Sequence, residues 1–271
     1  MAPQRPVDPF TERTPRVVAA IKLHRGTARR NASRFLAEGG QAVSEALSAG
    51  VVRELFCTAD AVARNTDLVA TADHRGVPVS LVTERAAAAL SETVTPQGLV
   101  AVCDLVDVSL EQALHGAPQL VAVLVDAGDP GNAGTVIRVA DAAGADAVVF
   151  AGDSVDVHNG KCVRASTGSV FHLPVARSHH VLGVMDQARA AGLQVLATAA
   201  DGELDLYDTD ELLTTPTAWL FGNEAHGLPS ELAAMADHRV RIPIHGRAES
   251  LNLATAAALC LYASARAQRA P

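Results

Sequence analysis

A chain of 271 residues, 49% apolar, is long enough to bury one large core or two ordinary ones. Phe, Trp and Tyr total only 3%, which argues against a protein that grips bare single strands on stacked aromatics. Ala and Val supply most of the apolar content and suit helices packed on buried parallel strands. The net charge of −8 argues against a nucleic-acid partner until its distribution is read. Met1–Phe35 holds eight Lys/Arg against two Asp/Glu, a local balance of +6 that leaves the remainder near −14.

In chain order, residues 1–33 read as a basic arm. RVVAAIKLHRGTARRNASR (Arg16–Arg34), which ends one residue past it, has the pattern of an amphipathic basic helix followed by a turn. A small α/β unit follows over 34–106. Its predicted strands are Arg34–Glu38, Val51–Cys57, Val77–Val82 and Leu99–Leu105. A helix over Gln41–Ala49 stops at Gly50, and a Thr95-Pro96-Gln97-Gly98 turn precedes the last strand. Residues 107–119, with charges, Gly116 and Pro118, read as a linker. A second α/β series fills 120–271, with strands over Leu120–Val125, Ala147–Phe150, Gln194–Thr198, Ala218–Phe221 and Arg239–Ile242. A long apolar helix over Leu251–Ala267 closes it. Alternating strands and helices predict a mostly parallel sheet.

Four cysteines (Cys57, Cys103, Cys162, Cys260) are scattered without a CxxC pair, as expected of free thiols in a reducing cytoplasm. There is no 18-residue apolar run, so no membrane span is expected. His179-His180 is an adjacent pair and no HExxH occurs, so no metal site is expected.

Three segments of the second half carry polar residues at strand ends. The first, Asp126–Arg138 (DAGDPGNAGTVIR), follows a strand and opens a helix, where unpaired N–H groups can take a negative group. Its glycine spacing is not GxGxxG and it lacks a GK[ST] ending, so neither a dinucleotide fingerprint nor a P-loop is present. A tight turn with a surface arginine would account for it equally. The second, Trp219–Pro229 (WLFGNEAHGLP), ends an apolar strand in Gly-Asn-Glu, where open α/β sheets bind ligands. The third, Arg241–Thr255 (RIPIHGRAESLNLAT), ends a strand at proline and opens the last helix. Ser250 there reads as an N-cap, and Asn252 must find partners if buried.

Together these segments resemble the SpoU/TrmH branch of the SPOUT methyltransferases. The N-x-G-x-x-x-R pattern is met by Asn132, Gly134 and Arg138. G-x-E-x-x-G is met by Gly222, Glu224 and Gly227, and I-P followed by S-L-N by Ile242-Pro243 and Ser250-Leu251-Asn252. Arg164-Ala165-Ser166-Thr167-Gly168 matches the R-x-S-x-G segment between the first two. Phe35–Gly39 and the series after it resemble the family's ribosomal-protein-like substrate-binding domain. Ile244, where methionine is frequent, is the one departure at the motifs, and the acidic body is unexpected.

The resemblance implies a mostly parallel C-terminal domain tied in a deep trefoil knot, a homodimer packed through it, and S-adenosylmethionine as cofactor. It implies methyl transfer to a ribose 2′-hydroxyl of a structured RNA, with 23S-type ribosomal RNA slightly favoured over transfer RNA. Carried over by motif, Thr198, Ala199, Gly222, Ile242, Leu251 and Leu253 would hold the cofactor. Arg138 would act at the ribose, with Asn132, Glu224, Ser250 and Asn252 positioning it. Arginine stays protonated in proteins, so Arg138 suits holding a phosphate and the developing alkoxide better than removing a proton. Lys22, Arg25, Arg29, Arg30, Arg34 and Arg164 are the expected RNA contacts. A binding protein of the same fold without chemistry, a base methyltransferase and a nucleotide-dependent doubly wound enzyme are the alternatives.

Overall fold

The computed structural model describes residues 8–269; the first seven residues of the basic arm lie outside the described residues. The chain divides into two compact units. One takes the residues up to Leu105 together with His158–Arg164; the other takes Val106–Val157 and everything from Ala165 onward.

The first unit is built on a four-stranded mixed sheet of β1 (Arg34–Glu38), β2 (Val52–Cys57), β3 (Val79–Leu81) and β4 (Leu99–Asp104), in the order β1-β4-β2-β3. β4 runs antiparallel to both β1 and β2, while β2 and β3 are parallel. Phe35, Leu36 and Ala37 are consecutive and buried, so β1 is covered on both faces. Gly39, at φ 91, turns the chain into the helix Gly40–Ser48, which buries Ala42, Val43, Ala46 and Leu47. The expected basic helix is split into Pro15–Ile21, a 3₁₀ turn over Lys22–His24 and Gly26–Ala32, with Arg25 extended between them. Pro15 starts the first helix, where its missing N–H costs nothing. Val17, Ala20 and Leu23 pack with Phe56, Val82 and Leu90, so this segment belongs to the core rather than standing off it as an arm.

The basic residues of this unit divide by environment. Lys22, Arg25 and Arg30 are exposed. The structure corrects the expectation for Arg29, which is 4% exposed and donates from Nη1 to the carbonyls of Leu23 and His24 at 2.9 Å each. It caps the preceding turn and is withdrawn from any RNA. Arg34 and Arg53 both pair with Asp104. Arg164 pairs with Glu38 at 3.5 Å and Glu92 at 3.7 Å.

The second unit is an eight-stranded sheet. It contains β5 (Asp107–Val108), β6 (Leu120–Val125), β7 (Ala147–Ala151), β8 (Val175–Ser178), β9 (Gln194–Thr198), β10 (Leu204–Asp205), β11 (Thr217–Phe221) and β12 (His238–Arg241). The order is β10-β12-β9-β11-β6-β7-β8-β5, and every pairing is parallel. All residues of β6, β7 and β11 are buried, as strands covered on both faces must be. Residues 107–119 are structured rather than a bare linker. They hold β5 and a helix, Leu110–Ala113, whose Ser109-x-x-Gln112 capping box is complete. The closing helix runs Leu253–Gln268, and its start is capped by Asn252, not Ser250. It is pinned to β11 by the buried Trp219, whose Nε1 donates to Ser264 Oγ at 2.9 Å. Among the described residues no helix is long and apolar enough to cross a membrane.

Candidate active site

The site is assembled where β6, β9, β11 and β12 end. After β6 the chain turns through Asp126, at φ 52, into the helix Pro130–Ala143. Asp129 caps that helix by accepting from Asn132 N at 2.8 Å, and Pro130 occupies its first turn. Ala133, Gly134, Val136, Ile137, Ala140 and Ala143 face inward, which leaves Arg138 on the exposed side.

After β11, Gly222–Gly227 forms a tight loop closed by Asn223 N to Gly227 O (3.1 Å) and Gly227 N to Asn223 O (2.8 Å). A Cβ on Gly222 would lie 2.2 Å from Gly227 C and Leu228 N, so only glycine fits. The Asn223 amide donates to Asp126 O at 2.7 Å, tying this loop to the end of β6.

Glu224 then joins the three motifs. Its Oε2 accepts from Gly128 N at 3.0 Å, and its Oε1 accepts from Asp129 N and Asn132 Nδ2, both at 3.1 Å. Asn132 Oδ1 in turn accepts from Asn252 Nδ2 at 2.9 Å. Asn252 Oδ1 accepts from Ala254 N at 2.9 Å and caps the last helix. Partial burial pushes the Glu224 carboxyl upward, but the donors from Gly128, Asn132 and Asp129 outweigh it and hold the group below its ordinary value.

Thr198, Ala199, Gly222, Ile242, Leu251 and Leu253 line one cleft of about 250 Å³, together with Ile244, Glu224, Glu249 and Ser250. The walls are largely apolar, and among the described residues the charged side chains lining it are Glu224 and Glu249. The Thr198 hydroxyl is spent on Leu220 O at 3.0 Å, bracing β9 against β11. Arg138 stands apart from the Asn132–Glu224–Asn252 network. Its hydrogen-bond partner is Thr167, at 3.4 Å between Nη1 and Oγ1. Sequence reasoning did not single out Thr167, Asn223 or Asp126. Asn223 carries a signal, as an Asn in a glycine-bounded turn, whereas nothing in a threonine announces a left-handed backbone.

Comparison with known proteins places these features. The model of the SpoU rRNA Methylase family matches residues 119–262, and that of the MRM3-like substrate binding domain matches residues 14–101. The chain belongs to the SpoU rRNA methylase family. Among SpoU relatives, the Bacillus subtilis 23S rRNA (guanosine(2553)-2′-O)-methyltransferase RlmP is 37% identical, over 89% of this chain and 92% of its own length. A 23S rRNA (uridine(2479)-2′-O)-methyltransferase of Streptomyces viridochromogenes is 44% identical, over 51% of this chain and 49% of its own. The crystal structure of an AdoMet-bound rRNA methyltransferase from Sinorhizobium meliloti superposes with a TM-score of 0.83. It is 34% identical, covering 95% of this chain and 96% of that one.

Proposed function

We propose that this SpoU-family protein transfers a methyl group from S-adenosylmethionine to a ribose 2′-hydroxyl of 23S ribosomal RNA. The observation that carries the reading is the charge of the cleft. Among the described residues, its lining is largely apolar, holds two carboxylates and includes no lysine or arginine. A phosphate-bearing nucleotide would be poorly served there, whereas a cationic sulfonium attached to an adenosine suits both features. The motif-one loop cannot serve as a phosphate loop either, because Glu224 already occupies its N–H groups.

When bound, S-adenosylmethionine supplies the activated methyl. The chain's own residues hold and orient. Ile242, Ile244, Leu251 and Leu253 provide the apolar walls. The Asn132–Glu224–Asn252 network fixes the three loops against one another, so the cleft is formed before a substrate arrives. Arg138, exposed and cationic, holds an RNA phosphate and stabilises the alkoxide that develops as the hydroxyl passes its proton to water or a phosphate oxygen. Ser250, exposed on the cleft rim, contacts the ribose.

The exposed Lys22, Arg25 and Arg30 grip the RNA from the first unit. The S. meliloti relative was solved with AdoMet, and the B. subtilis relative is named for 23S rRNA. Both support this donor and this acceptor, and a ribosomal substrate supports a cytoplasmic location. The reading includes the knotted threading of the last segment and a homodimer through the catalytic unit. The partly exposed Leu251 and Tyr262 offer apolar surface to a second copy.

The test uses methyl-labelled S-adenosylmethionine with RNA from a strain lacking the gene, size-fractionated and digested to nucleosides. Label in a 2′-O-methylnucleoside from the 23S fraction is the expected result. Label on a base would overturn the ribose assignment, and label in the transfer RNA fraction would overturn the substrate. Arg138→Ala is expected to abolish transfer and leave cofactor affinity within about twofold, because it removes only transition-state contacts.

A further inference from the structure

The turn after the helix Gly160–Ser166 is fastened to the outer face of the helix Pro130–Ala143 at two points. Arg138 Nη1 donates to Thr167 Oγ1 at 3.4 Å, and the His172 ring pairs through Nδ1 with Asp141 Oδ2 at 2.7 Å. Arg138 and Asp141 are three residues apart, hence on one face. Between the two fastenings the backbone is unusual. Thr167 has φ 51 and Gly168 has φ 97. Glycine adopts such values freely, but a β-branched residue there is an outlier that persists only where its surroundings hold it. Ser166 and Gly168 are buried on either side, while the Thr167 side chain is exposed. Its Oγ1 also lies 3.4 Å from Ala165 O, and a hydroxyl oxygen has lone pairs to accept from the guanidinium. Thr167 is the only hydrogen-bond partner of Arg138 among the described residues.

A strained threonine therefore presents one hydroxyl, oriented by its own backbone, to the arginine that the reading above puts at the ribose. We infer that Thr167 is a positioning residue for methyl transfer, fixing the Arg138 guanidinium in the conformation that meets the substrate. The inference rests on that role of Arg138.

Its test separates the hydroxyl from the strain. Thr167→Gly removes the hydroxyl and relieves the backbone; Thr167→Val removes the hydroxyl and keeps the branched shape. Both are expected to lower kcat about five- to tenfold, the scale of one hydrogen bond made in the transition state, with KM for S-adenosylmethionine unchanged. Their thermal midpoints are expected to diverge, with the glycine variant at or above wild type and the valine variant below the glycine one. Thr167→Ser, which keeps the hydroxyl, is expected to recover most of the rate. Rates that follow the thermal midpoint instead of the hydroxyl would overturn the inference. So would wild-type rates in both the glycine and valine variants while Arg138→Ala is inactive. An active Arg138→Ala enzyme would overturn the role of Arg138 itself.

Discussion

Asn132→Asp is the substitution that most directly tests whether the three motifs are held by one polar network. The change is isosteric, but it sets a second carboxylate against Glu224, whose Oε1 lies 3.1 Å from the Asn132 amide nitrogen. Two unit charges about 4 Å apart repel by about 1 kcal/mol in water and about 4 kcal/mol at an effective dielectric of 20. Glu224 is largely exposed, which puts the repulsion near the lower end, at about 1–2 kcal/mol. The lost hydrogen bond adds about 1 kcal/mol. The total, about 2–3 kcal/mol, lowers the thermal midpoint of the catalytic unit by about 5–10 °C at pH 7. Two adjacent carboxylates share a proton, so the pair titrates at a raised pKa in the folded protein. A raised folded pKa means that stability is recovered as pH falls through it and is lost again as pH rises. The deficit should shrink between pH 8 and 5, while Asn132→Ala, which loses hydrogen bonds but adds no charge, should show a smaller and pH-independent deficit. Scanning calorimetry of both variants over that range decides the matter. Equal, flat deficits would show that Glu224 is not coupled to residue 132 and refute the network.

Gly222→Ala puts a methyl 2.2 Å from backbone atoms that cannot retreat, so it should cost about 3 kcal/mol or more and abolish cofactor binding. Gly128→Ala, whose Cβ would meet only the Asn223 amide and the Glu224 carboxylate at 3.7 Å, should be mild; calorimetric titration with S-adenosylmethionine compares the two. The depressed folded pKa of Glu224 gives a stabilisation present above its ordinary 4.5 and lost as pH falls through the lower folded value. Glu224→Gln should erase that acid-limb dependence in a denaturation series from pH 3 to 7. Ser264→Ala leaves the indole N–H of Trp219 buried without its partner and should cost about 1–2 kcal/mol. Fluorescence reads this cleanly, because Trp219 is the only tryptophan.

The catalytic unit was legible where burial is continuous. Leu120–Val125 and Gln194–Thr198 are apolar runs whose ends the structure reproduces residue for residue. β8 escaped notice because Val-Ala-Arg-Ser is short and half polar, and takes its place by pairing with β7 rather than by its own propensity. The motif residues were legible as types, and so was the outward Arg138, which falls opposite the buried stripe of its helix. Their connections were not, because a hydrogen bond between Asn132 and Asn252 spans 120 positions and leaves no local mark. Arg29 misled for the converse reason. It sits in a basic run, but its burial follows from two carbonyls that the fold happens to leave beside it. His158–Arg164 likewise joins the first unit from the middle of the second, a placement that no composition change announces.

The sheet order explains why the cleft is not where an open α/β fold would first suggest. Going outward from β6, the strands run β7, β8 on one side and β11, β9, β12 on the other. The order reverses between β6 and β11, the crevice where a doubly wound sheet ordinarily takes its ligand. Here that crevice is closed by the chain itself. Asn223 spans it to Asp126 O, and the N–H groups of Gly128 and Asp129 receive Glu224. The N-terminus of the helix Pro130–Ala143 could attract a phosphate, but it is instead satisfied by two internal carboxylates, Asp129 and Glu224. The cleft is thereby displaced one strand outward, to the ends of β11, β9 and β12, where the lining is largely apolar and its charged side chains among the described residues are Glu224 and Glu249. The same side chain that closes the phosphate position, Glu224, also lines the displaced cleft. One carboxylate thus excludes an anionic cofactor from the usual crevice and adds negative potential where a cationic methyl donor would sit.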